Sequence, residues 1–256
     1  MNQMRFLTAG ECSLVVEFGQ EIDEMTNRQV HKLAALLQAK ALTGVKELIP
    51  TYRSLLIDFD PSLVSRDSLQ KSVLALQEEL AGEAQAGKVR LLHFPVCYGG
   101  EYGPDLAFVA EHHQMKEDEV IAIHTSVPYL VYMLGFTPGF PYLGGMSEKI
   151  ATPRLAKPRT AIPAGSVGIA GSQTGFYPIE SPGGWQLIGR TPLPVFAPES
   201  SQPFVVAAGD YLLFESVSQQ EYQAIVDQVT KKSYQLKIDE LTAAEIADLR
   251  KSGEKK

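Results

Sequence analysis

Cysteine is scarce. Only Cys12 and Cys97 occur in 256 residues, which excludes a disulfide-dense secreted scaffold and leaves no zinc-type spacing. The two lie in different expected domains, so no disulfide between them is expected. Long apolar runs are missing too. The longest, Val127 to Phe136, is too short to cross a bilayer and contains Pro128. Met1 to Gly19 has no basic stretch followed by an apolar one, so no secretory signal is expected and the cytoplasm is the expected location. Positive charge is in deficit. There are 23 Lys and Arg against 30 Asp and Glu, a net charge of −7. That balance argues against nucleic acid as the main partner, which needs a clustered basic surface. The basic end from Arg250 to Lys256 reads as a frayed, solvated tail.

Chemical signatures are missing as well. The sequence holds no Gly-x-x-x-x-Gly-Lys-Ser/Thr phosphate loop and no Gly-x-Ser-x-Gly elbow. Cys97 has no adjacent histidine to mark it as a nucleophile. No histidine pair has ligand spacing with a carboxylate, so no tight metal site is expected.

What remains is ordinary globular material, 45% hydrophobic and 21% charged, long enough for two domains. Met4–Ala9 and Ser13–Phe18 read as strands around the turn Gly10-Glu11. Val30, Leu33, Ala34, Leu37 and Ala41 then recur at helical spacing, with a capping box at Thr26 and Gln29 and a left-handed stop at Gly44. Two more strands follow, Val45–Pro50 and Ser54–Phe59. A helix with Leu69, Val73, Leu76 and Leu80 on one face comes next. The expected order is ββαββα, a small α+β sandwich over residues 1–84. Gly82 to Lys88, small and polar, is the expected linker.

The second domain, residues 89–230, opens on the strand Val89–Val96 and two short helices, Pro104–Gln114 and Lys116–Thr125. Helical periodicity then stops. Gly135 to Pro192 holds 11 of the 21 glycines and 8 of the 16 prolines. Short apolar pieces lie between them, at Val167–Ala170, Trp185–Ile188 and Val195–Phe196. This is the pattern of a β-barrel built from short strands and tight turns. Phe204–Ala207 and Tyr211–Phe214 add strands, and Ser218–Val229 a helix. Residues 231–256 read as a C-terminal extension whose last helix opens at the capping box Thr242 to Glu245.

Four groups of residues carry candidate chemistry. In the loop Cys97 to Asp105, Asp105 reads as a helix cap, and Glu101 reads equally as a turn residue or a site acid. His124 closes a helix, where a cation is favoured, or serves as a general acid or base with Glu101. In Gly135 to Gly145, Phe136, Phe140 and Tyr142 alternate with Gly and Pro, as in a pocket wall or an exposed docking patch. The densest group carries Arg154, Arg159, Gln173, Gln186 and Arg190 on rigid turns. Arginine pairs a carboxylate with two parallel bonds, and glutamine reads an amide with donor and acceptor together. Arg159, Gln173, Gln186 and Arg190 are therefore the candidate substrate-binding residues, for a small acidic amide. Arg154 reads as a surface charge.

Phe94 to Asp105, Gly135-Phe-Thr-Pro-Gly-Phe-Pro-Tyr-Leu-Gly, Pro158 to Ser166 and Ser181 to Arg190 together resemble the family of the 5-oxoprolinase B subunit. This family is also labelled allophanate hydrolase subunit 1 and includes a Kip-type inhibitor of a sporulation histidine kinase. The resemblance runs over roughly residues 4 to 230. It implies a cyclophilin-like β-barrel in the second domain. It implies partners, the A and C subunits of 5-oxoprolinase, the latter also cyclophilin-like. Together these cleave 5-oxoproline to L-glutamate with hydrolysis of ATP. It implies as the alternative an inhibitor that docks on a sensor histidine kinase, through Phe136, Phe140 and Tyr142, and blocks its autophosphorylation. Prolyl isomerase activity rests on fold analogy alone, and a biotin-dependent carboxyltransferase needs a carrier that is absent here. The family brings no catalytic residue set.

Overall fold

A computed structural model describes residues 4–81, 88–200 and 203–253. The expected linker lies almost entirely outside the described residues. The chain divides into two compact units, Met1–Gly87 and Lys88–Lys256.

In the first unit the elements run β1 (Arg5–Thr8), β2 (Ser13–Glu17), α1 (Glu24–Lys40), β3 (Val45–Pro50), β4 (Ser54–Phe59), α2 (Arg66–Leu74) and α3 (Gln77–Ala81). The four strands form one antiparallel sheet, in the order β1-β2-β4-β3. Alternate residues of β2 and β4, including Leu14, Val16, Leu55 and Ile57, pack against Val30, Leu33 and Leu37 of α1 and Leu69 and Val73 of α2. Two helix ends differ from expectation. The cap of α1 is Asp23, whose carboxylate accepts from Thr26 N at 2.9 Å, so the helix begins ahead of the Thr26 box. Its left-handed stop is Ala41 at φ 44°, three residues before Gly44. The single helix expected after β4 is split, because Leu74 ends α2 and Gln77 starts α3.

The second unit is a mixed α/β structure around a closed barrel. Its strands are β5 (Val89–Tyr98), β6 (Tyr129–Leu134), β7 (Pro141–Gly144), β8 (Arg159–Ile162), β9 (Ser166–Ala170), β10 (Gln173–Phe176), β11 (Ser181–Gly183), β12 (Gln186–Arg190), β13 (Tyr211–Ser216) and β14 (Ile238–Leu241). Its helices are α4 (Leu106–His112), α5 (Glu117–His124), α6 (Gln219–Thr230) and α7 (Ala243–Gly253). Seven strands close in the order β12-β9-β10-β7-β6-β13-β5 and back to β12. The inward residues Leu92, Phe94, Val96, Val131, Val167, Ile169 and Phe176 fill the interior as side-chain layers. β8 and β11 form a separate two-stranded ribbon. Of the expected strands, Val195–Phe196 and Phe204–Ala207 contribute only the bridge between Phe196 and Phe204.

Strand β5 has three neighbours. One edge pairs with β13 in parallel; the other pairs with β14 along Val89–Leu92 and with β12 at Cys97 and Tyr98. His93 ties two of these together. Its Nδ1 lies 2.6 Å from Glu215 Oε1 on β13, and its Nε2 lies 2.8 Å from Asp239 Oδ2 on β14. This hydrogen bond, more than the neighbouring Lys237, holds the Asp239 carboxyl below its ordinary range. Residues 231–256 are therefore partly built into the sheet. Arg250 does not fray. Its Nε donates to Pro128 O at 3.0 Å, and Gly253 is buried. The sequence pattern misleads here because a charged, polar helix hides one apolar contact face, centred on Ile246.

Close backbone approach holds α4 to the barrel. A Cβ added at Gly103 would lie 2.0 Å from the carbonyl oxygen of Ile188 on β12. That neighbour is backbone and cannot swing away. Gly103→Ala is expected to cost roughly 3 kcal/mol or more by denaturant titration. Gly171→Ala, where φ is +59° and no atom lies within 4 Å, is expected to cost only about 1 kcal/mol of backbone strain.

Candidate functional site

The residues singled out in the sequence separate into a buried network, an aromatic cleft and an arginine cluster. His124 belongs to the first. It is 0% exposed and stacks on Phe214 with ring centroids 4.7 Å apart. Its Nδ1 lies 2.8 Å from Tyr98 Oη, and its Nε2 lies 2.8 Å from Thr174 Oγ1. Thr174 spends its one proton on Gly168 O at 3.0 Å. Thr174 must therefore accept from His124 Nε2–H. That leaves Nδ1 bare to accept from the Tyr98 hydroxyl. The imidazole is neutral, and burial pushes its pKa down to about 3 from 6.5. The general acid/base role expected of His124 is corrected. Both nitrogens are engaged inside the barrel, and no reacting group can reach them.

Glu101 is exposed, on the loop that follows β5. Asp105 precedes α4, but its side chain caps nothing. Instead one oxygen accepts from Arg159 Nη2 at 2.7 Å and the other from Leu187 N at 2.7 Å. Arg159 Nη1 also donates to Trp185 O at 3.3 Å. Arg159 thus ties β8 and the residue before β12 to the start of α4, and its guanidinium is already paired with a carboxylate. Gln186 is 2% exposed. Its Nε2 donates to Pro153 O at 2.9 Å, and its Oε1 is a buried acceptor with no partner. Only the acceptor half of its amide remains for a ligand. Gln173 opens β10, half-buried, with a partner of its own.

The aromatic cleft has a volume of about 190 Å³. Its walls are Phe140, Tyr142, Tyr177 and Trp185, with Phe136 and Arg154 at its edge and Pro182 to Gly184 as backbone wall. Phe140 stands edge-on to Tyr142, Tyr177 and Trp185, with centroids 5.4 to 5.5 Å apart, the arrangement that ring quadrupoles favour. Gly183 makes this possible, since a Cβ there would lie 2.3 Å from Tyr177 Oη. Burial pushes the Tyr177 hydroxyl up to about 12, against the pull of Arg154 and Arg159. The expected three-residue docking patch does not form as such. Phe136 is 69% exposed at a φ of 65°, but Phe140 is 3% exposed and sits under its neighbours. Arg154, read from sequence as a surface charge, is the cation this cleft presents.

The third cluster lies at the far end of β12, roughly 13 Å along the strand from Gln186. The Arg190 guanidinium sits 5.8 Å from the centroid of the Tyr102 ring. Tyr102 meets Tyr222 of α6 at 4.5 Å between centroids. Tyr102 lies in the loop Cys97 to Asp105 that the sequence singles out, but nothing in the sequence pairs it with Tyr222, because 120 residues of chain separate them and only the fold stacks them. Among the described residues no group of His, Cys, Asp and Glu has the geometry to hold a metal ion. None of the described helices is long and apolar enough to cross a membrane.

Residues 4–206 match the family model for the carboxyltransferase domain, subdomain C and D. The chain is 46% identical over 225 residues to a Bacillus subtilis protein named as the B subunit of 5-oxoprolinase, covering 84% of this chain and 93% of that one. It is 40% identical over 215 residues to the protein of the same name from Escherichia coli O157:H7, covering 84% and 96%. The urea amidolyase of K. lactis shares the fold, with a TM-score of 0.77 at 21% identity, over 98% of this chain and 18% of that one.

The buried network makes a pH-dependent prediction. In the unfolded chain His124 binds a proton near pH 6.5, and in the folded chain only near 3. Its contribution to stability is present above the unfolded value and is lost as pH falls toward the folded one. The stability difference between the wild-type chain and His124→Gln should shrink by about 1.4 kcal/mol per pH unit below pH 6. Denaturant titrations at pH 7, 5 and 4 read it. A difference that stays constant with pH would mean that His124 is charged in the fold.

Proposed function

We propose a function that proceeds from one fact: the chain belongs to the family of the 5-oxoprolinase B subunit. It acts as the B subunit of an ATP-dependent 5-oxoprolinase, and with the A and C subunits it cleaves 5-oxoproline to L-glutamate. Its seven-stranded barrel is the cyclophilin-like domain that the resemblance implies, and the first unit is the small α+β sandwich.

The observation that carries this reading is the composition of the aromatic cleft. Flat rings on several sides and one exposed arginine at the edge suit a small planar ring that bears a carboxylate. In this reading Arg154 takes the carboxylate, and the rings of Phe140, Tyr177 and Trp185 pack on the lactam. The same lining favours a chain that acts only within a complex. Its titratable members are Tyr142, Arg154 and Tyr177. Burial displaces the Tyr177 hydroxyl upward, away from general acid or base duty near neutrality. His124 is sealed in the barrel. The cleft therefore binds and orients, and proton transfer comes from elsewhere in the complex. ATP belongs there too. This chain has no phosphate loop, and one cationic side chain is a poor match for a triphosphate.

Reconstitution tests the assignment. ADP release that depends on 5-oxoproline should require this chain together with the A and C subunits, and unchanged turnover without it overturns the proposal. Within the complex, Arg154→Gln should raise the KM for 5-oxoproline about 10- to 100-fold, the worth of a charged hydrogen bond. A KM equal to that of the wild-type complex would remove Arg154 from the site.

A further inference from the structure

Arg190 has the chemistry of a binding residue and no ligand of its own in the fold. It ends β12, directly opposite Cys97 of β5 and directly opposite Ser166 of β9. Residues directly opposite in antiparallel pairs face the same side of a sheet. Cys97, Arg190 and Ser166 therefore form one row across three strands.

Two polar atoms in this row lack partners. Arg190 Nε is buried with no hydrogen bond, and so is the hydroxyl of Ser166, a residue 0% exposed. Among the described residues Arg190 has no carboxylate within ion-pair distance, and its guanidinium lies 5.8 Å from the centroid of the Tyr102 ring. Buried polar groups are nearly always satisfied, and each exception calls for an explanation. Here two orphans are adjacent in register. One is a donor with a planar fork, and the other is a hydroxyl that donates or accepts.

The surroundings define the ligand. Tyr102 lies under the guanidinium, and Tyr222, packed on Tyr102, is close enough to feel its charge. Gly165, at φ +79°, packs closely beside this row, where a Cβ would lie 2.5 Å from Thr191 O and 3.4 Å from Arg190 Cγ. Glu101 is close enough to act electrostatically on Cys97 and Tyr222. A fixed negative charge at that range penalises a dianion more than a monoanion. The planar fork favours two parallel bonds to one carboxylate.

We propose that Arg190, together with Tyr102, Tyr222 and Ser166, is a binding site for a small carboxylate, separate from the aromatic cleft. The carboxylate takes two bonds from the guanidinium, Nε included, and one from the Ser166 hydroxyl. No residue is shared with the cleft lining, so this site stands whether or not that cleft takes 5-oxoproline.

Arginine Nε–H resonances of the full-length chain test it. The Arg190 signal is assigned by its disappearance in Arg190→Lys. Sodium acetate, L-glutamate and inorganic phosphate are titrated separately, against sodium chloride at equal ionic strength. A saturable shift of the Arg190 signal with acetate or glutamate is expected, with little response to phosphate. Ser166→Ala should weaken the midpoint roughly fivefold, and Arg154→Gln should leave it unchanged. A carboxylate response no larger than that to chloride overturns the site. A stronger response to phosphate overturns the ligand class. Loss of the response in Arg154→Gln overturns the separation from the cleft. Because the resonance reports on Arg190 alone, it is independent of the KM that tests the cleft.

Discussion

Strand β5 must satisfy hydrogen bonds on both of its edges with three partners, and the barrel closes because it does. Its parallel pairing to β13 runs from Leu91 to Val96. On the other edge β14 takes the first half and β12 the second. An edge shared between two strands leaves no tolerance at the changeover. Near it, His93 spans from Glu215 to Asp239. At the β12 contact, Gly189 is needed because a Cβ would stand 2.6 Å from Val96 Cγ1. The interior of the barrel then selects its polar groups strictly. Tyr98, His124 and Thr174 are admitted as one chain of donors and acceptors with every proton assigned, which is how a polar group is carried in a core without an exposed charge.

The outer ribbon of β8 and β11 depends on a second device. The Asp105 carboxylate reaches from the start of α4 to Arg159 on β8 and to the backbone of β12. This pair fixes the edge of the aromatic cleft by way of Trp185 O, which Arg159 also holds. The two arginines that look equivalent in sequence are therefore unlike. Arg159 is already paired with a carboxylate, and Arg190 is left with an aromatic face and no anion.

Much of this is legible in the amino-acid pattern alone. Helix α1 shows its apolar period though not its caps, α5 and α6 show as helices, and β3, β4 and β13 show apolar runs bounded by turns. The concentration of glycine and proline from Gly135 to Pro192 marks the barrel wall and the cleft. What is not legible is pairing at long range. Strands β8 and β11 have too few apolar residues to announce themselves, because their contacts lie across a ribbon and not in the core. His124 looks like a solvent-facing helix end, since its helix is short and its partners Tyr98 and Thr174 are 26 and 50 residues away. Asp105 looks like a cap, because only the fold brings Arg159 to it. Arg154 looks like a surface charge because nothing local distinguishes it from one.

The parallel pair of β5 and β13 has a consequence in time. Parallel partners need a crossover, and here the crossover is the rest of the barrel, from Tyr98 to Tyr211. At common translation rates that interval takes on the order of ten seconds to synthesise. Through it, β5 waits with a ten-residue hydrophobic strand and no β13 to cover its edge. The contacts that finally close the barrel are among those of greatest sequence separation, which makes closure the slow step of folding. A nascent chain of this protein is most exposed to aggregation in that window, and β5 is the segment a chaperone would have to shield.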